Sequence, residues 1–333
     1  MVDPSLIAQA VEILRSGGLV AFPTETVYGL GADASDPVAV RRVFAAKGRP
    51  ADHPLIIHLA SASDIDDWAD DVPPLARALA DAFWPGPLTI VLRRSARVPD
   101  AVTAGLPTVG LRVPAHPVAL ALLEAFGGGI AAPSANRFGT VSPTTAEHVR
   151  ASLGDTVDLV LDGGPSDVGL ESTIVDLSGA GGSGSEVPGE GPAILRPGGV
   201  SREGLEAIAR FPIPVRGTVE EAGVRAPGMA GSHYAPHARL LLVPPSEQPE
   251  RAAALRARGL TVGALAFAGD ATPIEGATVV DMGASEEAAA RRLYAAIREL
   301  DASCDVILAW PPPERGLGLA IADRLRRAAA AGS

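Results

Sequence analysis

The sequence predicts an α/β protein of two units, the larger built around a mixed sheet. Three observations carry this. Short apolar runs alternate with segments of helical period along most of the 333 residues. Proline at a first helical position and glycine past a helix end mark the boundaries between them. Residues 211–238 have weak periodicity and several Pro and Gly, and they separate a longer first set of elements from a shorter second one. The expected units are 1–210, a connecting segment 211–238, and 239–333.

Asp3-Pro4 caps a first helix whose Leu6, Ile7, Ala10, Val11 and Leu14 form one apolar face, with Gly17 as its stop. Leu19–Phe22 reads as a buried strand. Asp36-Pro37 opens a helix with Val40, Val43 and Phe44 inward, ending near Lys47. Strand Leu55–Leu59, helix Pro74–Phe83 and strands Leu88–Leu92 and Val109–Val113 follow. Helix His116–Phe126 is closed by three glycines and leads to the short strand Ile130–Ala132. Helix Pro143–Leu153 precedes strands Val157–Leu161, Thr173–Leu177 and Ala193–Leu195, with Gly179–Gly191 a Gly/Ser-rich surface insertion. The second set starts at strand Arg239–Val243. It continues through helix 247–258, strands Thr261–Phe267 and Ala277–Met282, helix Ser285–Leu300, strand Val306–Trp310 and helix Leu319–Ala330, a small three-layer α/β unit.

A net charge of −11 argues against dominant nucleic-acid binding, because such a surface repels phosphate backbones at long range. The single cysteine, Cys304, permits no intramolecular disulfide and reads as a small core residue. No apolar run reaches the length of a membrane span, and the start lacks the pattern of a signal peptide. The chain is therefore expected in the cytoplasm, without membrane contact. There is no Walker A loop and no GxGxxG after the first strand of the second unit. His233 and His237 have metal-like spacing, but Pro236 between them argues against a shared helix, and no residue is assigned to a metal.

Pro23–Gly31 follows a buried strand with two hydroxyls, a carboxylate, a phenol and two glycines, a composition suited to a cleft. Lys47-Gly48-Arg49-Pro50 places two cations on a rigid turn: the ammonium is a compact charge and the guanidinium a planar fork, both suited to a triphosphate. His53-Pro54 precedes the strand that holds His58, itself either a core histidine or a site group. Thr108, Gly110 and Arg112 share one strand face. Arg112 needs an anionic partner there, either a structural carboxylate or that of a substrate. Pro133-Ser134-Ala135-Asn136 presents a hydroxyl and an amide. Ser142-Pro143-Thr144 serves as an N-cap or an anion site. Glu171-Ser172-Thr173 and Arg196-Pro197-Gly198 add polar strand ends.

In this order the motifs resemble the YrdC-like domain: Pro23–Gly31, Lys47-x-Arg49-Pro50, Trp84-Pro-Gly-Pro-Leu-Thr89, Leu111-Arg112-Val-Pro114, Pro133–Asn136, Glu171–Thr173 and Leu195–Gly198. Ala226–Met229 and His233-Tyr234-Ala-Pro236 resemble the connecting segment of the long, two-domain form of threonylcarbamoyl-AMP synthase. The resemblance covers almost the whole chain. It implies a twisted mixed sheet lining a deep concave cleft, plus a Rossmann-like C-terminal domain. It also implies a nucleotidyltransferase that makes threonylcarbamoyl-AMP and pyrophosphate from L-threonine, bicarbonate and ATP with Mg²⁺. The product serves N6-threonylcarbamoyladenosine formation in tRNA through downstream transfer proteins, with tRNA contact weak or indirect.

The family pattern places L-threonine at Thr26, His58, Arg112, the Ala132 backbone and Ser172. It places ATP at Lys47, Arg49, His53, Thr108, Ser134, Ser142, Arg196 and Tyr234, with Lys47 and Arg49 carrying the catalytic charge. Glu25 and Tyr28 take supporting roles, and Gly29 and Gly31 are read as serving a turn. The second unit, lacking a phosphate loop, is read as placing the segment Pro227–Pro236 over the cleft. The pattern departs at His53, where Asn is common, and at Met229–His233, where a basic residue often precedes the histidine. Two rivals are weaker. A non-catalytic RNA binder conflicts with the net charge, and a carbamoyl-phosphate enzyme would carry this domain in a longer, cysteine-rich chain.

Overall fold

Asp3 accepts a hydrogen bond from the Ser5 amide and starts the helix Pro4–Arg15 in the computed structural model, which describes residues 3–179, 191–216, 234–267 and 273–331. Its buried stripe is Ile7, Ala10, Val11 and Leu14. Leu6 lies off that stripe and is 42 % exposed, although expected within it. Asp36 likewise caps Pro37–Lys47, which Gly48 ends at φ 63°.

The strands of the larger sheet are β1 (Val20–Phe22), β2 (Gly29–Asp33), β3 (Ile56–His58), β4 (Ala69–Asp70), β5 (Leu88–Arg94), β6 (Thr108–Arg112), β7 (Ile130–Ala131), β8 (Leu159–Val160), β9 (Thr173–Asp176) and β10 (Ala193–Arg196). Their order is β10-β9-β5-β6-β3-β7-β2-β1-β8, with β4 on β5, and the pairing is mixed: β3 runs parallel to β6, whereas β5 runs antiparallel to β6.

Strand β2 corrects the loop reading of Pro23–Gly31, because from Gly29 onward the chain pairs with β1 and β7. Gly-Leu-Gly-Ala-Asp has little strand propensity. Its glycines serve close packing: a Cβ on Gly31 would lie 2.7 Å from Ile130 Cγ2 and 2.8 Å from Phe22 Cε1. The helix expected from Pro143 begins at Ala146, capped by the Thr145 hydroxyl, so Ser142 lies in the approach to it. A further helix, Arg202–Ala209, has no counterpart in the sequence reading. Within the expected connecting segment, residues 211–216 extend the sheet beside β10: the Ile194 amide donates to Pro214 and the Arg216 amide to Ile194.

One face of this sheet, with Ile57, Ile90, Leu111 and Val175, packs against helices Pro37–Lys47, Pro74–Phe83 and Ala146–Leu153. On the other face, helices Pro4–Arg15 and Pro117–Phe126 pack on Val20, Phe22 and Ile130 at one end. Toward β10 that face carries a small apolar patch, Ile56, Val91, Ile174 and Leu195, beside polar groups that form a cleft floor.

The second sheet has β11 (Arg239–Leu242), β12 (Val262–Ala266), β13 (Thr278–Asp281) and β14 (Val306–Ala309), all parallel in the order β11-β14-β12-β13. Helix Gln248–Arg256 packs on one side, and helices Glu286–Asp301 and Gly318–Ala330 on the other. Cys304 is buried and free there, as read. The apolar cluster of those two helices continues into Val27, Val141 and Leu170 of the first unit. Arg291 Nε donates to the Asp167 carbonyl at 2.7 Å, and Arg298 to that of Val141.

Gly31→Ala is expected to destabilise the protein by about 1–3 kcal/mol through overpacking. Urea denaturation with a lowered midpoint and unchanged slope checks it; an unchanged midpoint contradicts the close-packing role.

Candidate active site

The cleft lies where the end of the sheet toward β10 meets the segments that follow β1 and β7. Of the predicted residues, Thr26, Arg49, His58, Arg112, Ala132, Ser134, Ser172, Arg196 and Tyr234 line it. Lys47, His53, Thr108 and Ser142 do not.

The turn after β1 is built on Thr24, whose hydroxyl donates to the Val27 carbonyl at 2.6 Å. Its proton being used, the Thr26 hydroxyl donates to it at 2.7 Å and keeps its own lone pairs for a donor in the cleft. The anionic partner of Arg112 is Glu25, at 2.6 Å, and the second Glu25 oxygen accepts from the Ala115 amide at 2.9 Å. Arg112 Nε donates to the Gly86 carbonyl, so the guanidinium is held rigidly at the cleft wall. Beside it on β3, His58 stands edge-on to Phe22 with Nδ1 unpartnered. Burial and the Arg112 charge depress its pKa to about 3, so the ring is neutral. Tyr28 also lines the cleft, with its hydroxyl donating to the Gly164 carbonyl at 2.7 Å.

The two cations of the Lys-x-Arg motif separate. Arg49 faces the cleft, over the Phe138 ring, with Nη2 on the Pro54 carbonyl and Nε buried without a partner. Burial lowers its pKa to about 10. Lys47 turns inward, donating to the carbonyls of Ser134 and Asn136 at 2.5 Å each. Burial, then Arg49, push its ammonium well below the usual lysine range. Its position fixes the Pro133–Asn136 loop. His53 packs on the Phe138 ring beside exposed Asp52, and Thr108 lies half-buried at the start of β6. His237 pairs with Asp301 at 3.0 Å, and His233 lies outside the described residues, as do Ala226–Met229 and most of the Gly179–Gly191 insertion.

The opposite wall is Glu171-Ser172 against Arg196. Ser172 Oγ shares a hydrogen bond with Thr89 at 2.8 Å and accepts from Arg196 Nη2 at 3.1 Å. Ser142, rather than capping a helix, donates to Glu171 at 2.6 Å. The same carboxylate receives Tyr294 at 2.7 Å and Arg324 Nε at 2.8 Å, both from helices of the second unit. Burial alone would raise the Glu171 pKa, but Arg324, Arg196 and Ser142 hold it at about 2. Tyr234 is buried beneath the Arg324 guanidinium, 4.9 Å away, and stacks on Tyr294. Sequence reasoning did not assign Arg324 or Tyr294 to the site. The available signal was an arginine inside the apolar stripe Ala320, Ile321, Leu325 and Ala328.

Among the described residues, four guanidinium groups (Arg49, Arg112, Arg196, Arg324) line or back the cleft against two carboxylates, Glu25 and Glu171. This local excess of positive charge in a chain of net charge −11 suits a ligand with several negative charges, such as a nucleotide's phosphates. A family model described as telomere recombination matches residues 12–198, and one described as threonylcarbamoyl-AMP synthase, C-terminal domain, matches 200–330. The threonylcarbamoyl-AMP synthases of Pyrococcus abyssi and Bacillus subtilis are 44 % and 42 % identical, covering 96 % and 98 % of this chain and 92 % and 93 % of theirs. The crystal structure of P. abyssi Sua5 complexed with L-threonine superposes with a TM-score of 0.90 at 41 % identity, covering all of this chain and 96 % of that one. The chain belongs to the threonylcarbamoyl-AMP synthase family, and its activity is that of a nucleotidyltransferase.

Acid should weaken the fold in a defined window. His58 binds its proton at 6.5 when unfolded but only near 3 when folded, so the unfolded state gains protons first and stability falls as pH drops below 6.5. Urea midpoints measured between pH 7 and 4 should decline, with His148, its pKa lowered by burial to about 4, adding to the slope, and His58→Gln should reduce the decline; an identical decline in the variant excludes His58 as a source.

Proposed function

We propose that this cleft binds L-threonine on its Thr26–His58–Arg112 wall and ATP toward Arg49, Ser134, Arg196 and Tyr234. The observation that carries this is the pairing of two differently prepared cations. Arg112 is fixed by Glu25 beside neutral His58 and Ser172, as a carboxylate ligand needs. Arg49 keeps a buried Nε without a partner, as a phosphate ligand needs. In this reading the Thr26 hydroxyl accepts from the substrate nitrogen, and the Ala132 backbone and Ser172 orient the rest.

The threonine amine adds to CO2 derived from bicarbonate, losing a proton and forming the carbamate. A carbamate oxygen then attacks the α-phosphorus of ATP, the bond to the β-phosphate bridging oxygen breaks, and pyrophosphate leaves with its electron pair. The chain supplies position and charge, and no covalent nucleophile is required. Arg49 and Arg196 offset the charge growing on pyrophosphate. Lys47 acts on the same step by holding the Ser134–Asn136 carbonyls in place. Magnesium belongs with the triphosphate it accompanies. Glu25 and Glu171 are both engaged by arginines, and no group of three or more His, Cys, Asp or Glu that could hold a metal occurs among the described residues. The described residues of the cleft therefore do not fit a metal site of their own, and no step runs through one.

Water would hydrolyse the carbamate and the adenylate, so burial of Tyr234 at the cleft protects both. No described helix is long and apolar enough to cross a membrane. In this reading the enzyme works in the cytoplasm and passes its product to proteins that modify tRNA, touching tRNA weakly or not at all.

Pyrophosphate release should require L-threonine, bicarbonate and ATP together; release that ignores threonine would refute the assignment. Arg112→Lys, which keeps the charge and loses the fork, should raise the KM for threonine by about tenfold or more and that for ATP far less. Equal rises would move the threonine carboxylate elsewhere.

A further inference from the structure

Arg324 belongs to the last helix of the second unit, yet its side chain is fully buried against the cleft domain. It joins two neighbouring strand ends there. Nε pairs with Glu171, just before β9, and Nη2 donates to the Pro197 carbonyl, just after β10, at 3.0 Å. Tyr294, from a different helix, adds its hydroxyl to the same Glu171 oxygen. Between these anchors lie the two groups that face the substrate: Ser172, and Arg196, which donates to both the Ser172 carbonyl and its hydroxyl. The packing leaves no slack, since a Cβ on Gly198 would sit 2.3 Å from the Glu171 carbonyl oxygen.

We propose that Arg324 and Tyr294 are positioning residues of the synthase site, acting through Glu171 to hold Ser172 and Arg196 toward the substrates. The second unit then forms part of the active site, beyond placing the connecting segment. The groups facing Glu171 are Arg324, with Asp323 beside it, Tyr294, Arg196, Ser142 and the Tyr234 ring. Burial favours the protonated carboxyl, and the two arginines oppose it. With Arg324 removed, burial gains ground and the folded pKa of Glu171 rises. The ionised form that orders the wall is then lost as pH falls through that higher value.

This rests on the synthase reading. The test is pyrophosphate release by the full chain across pH, alongside L-threonine binding by calorimetry. Arg324→Gln should lower kcat/KM and move the acidic limb of its pH profile up by about one unit or more. Arg324→Lys should return the limb toward that of the unaltered chain, Tyr294→Phe should move it less, and Glu171→Gln combined with Arg324→Gln should show no displaced limb. An unaltered profile in Arg324→Gln, or a loss uniform with pH that the lysine variant does not relieve, overturns the proposal and leaves a plain docking contact. If Arg324→Gln does not fold, Tyr294→Phe and Arg324→Lys decide alone: a displaced limb in the first that is absent from the second supports it, and unaltered profiles in both overturn it. If the unaltered chain releases no pyrophosphate, the synthase reading fails. Calorimetry still decides the positioning role, by a pH-dependent loss of threonine affinity in the glutamine variant or its absence.

Discussion

Guanidinium groups held out of water govern this structure. A charge moved into a protein interior costs several kcal/mol unless it is met by an opposite charge and hydrogen bonds. Arg112 and Arg324 are each met by a carboxylate that is itself hydrogen-bonded elsewhere, Glu25 to the Ala115 amide and Glu171 to Ser142 and Tyr294. Arg49 reaches a carbonyl and an aromatic ring, and forms no ion pair among the described residues. The cleft thus contains two guanidinium groups paired with carboxylates, Arg112 and Arg324, beside Arg49, which is held by a carbonyl and a ring. This division, more than the number of arginines, makes the site selective for a charged ligand.

The same requirement explains which parts of the molecule were legible in the sequence. Helix starts at Asp3 and Asp36 and the long strand β5 follow from local rules, because caps and apolar runs act over a few residues. Strand β2 was hidden because its glycines answer to Phe22 and Ile130, which a local pattern does not register. Among the site residues, Arg112 announced that it needed an anion, and the partner lay in the polar segment already singled out. Lys47 and Arg49 look equivalent on paper. They part company only because Lys47 lies in the last turn of a helix beside two carbonyls that arrive from residues 134 and 136. Arg324 and Tyr294 were invisible for a related reason: on an amphipathic helix an inward polar side chain looks like core until its partner, more than 120 positions away in the chain, is known.

The two sheets differ in what their faces do. The second is covered on both sides and serves as a rigid mount for the helices that reach the cleft. The first carries two helices at one end of its second face and the cleft toward the other. Glu171 is where the two meet, so a docking contact and a wall of the cleft are one set of atoms.

The register between β3 and β6 has a consequence of its own. His58 lies opposite Arg112, and Ile56 opposite Gly110, on the cleft face, while Ile57 and Leu111 alternate with them into the packed core. Adjacent strands are spaced by about 4.8 Å, so the pleat works as a ruler that sets the distance between the two reactive side chains. A slip of one residue would drive the guanidinium into hydrocarbon and bring leucine out to the cavity. A chain that has paired these strands correctly has thereby assembled this corner of its active site, and a misregistered one would be unable to fold quietly into an inactive copy.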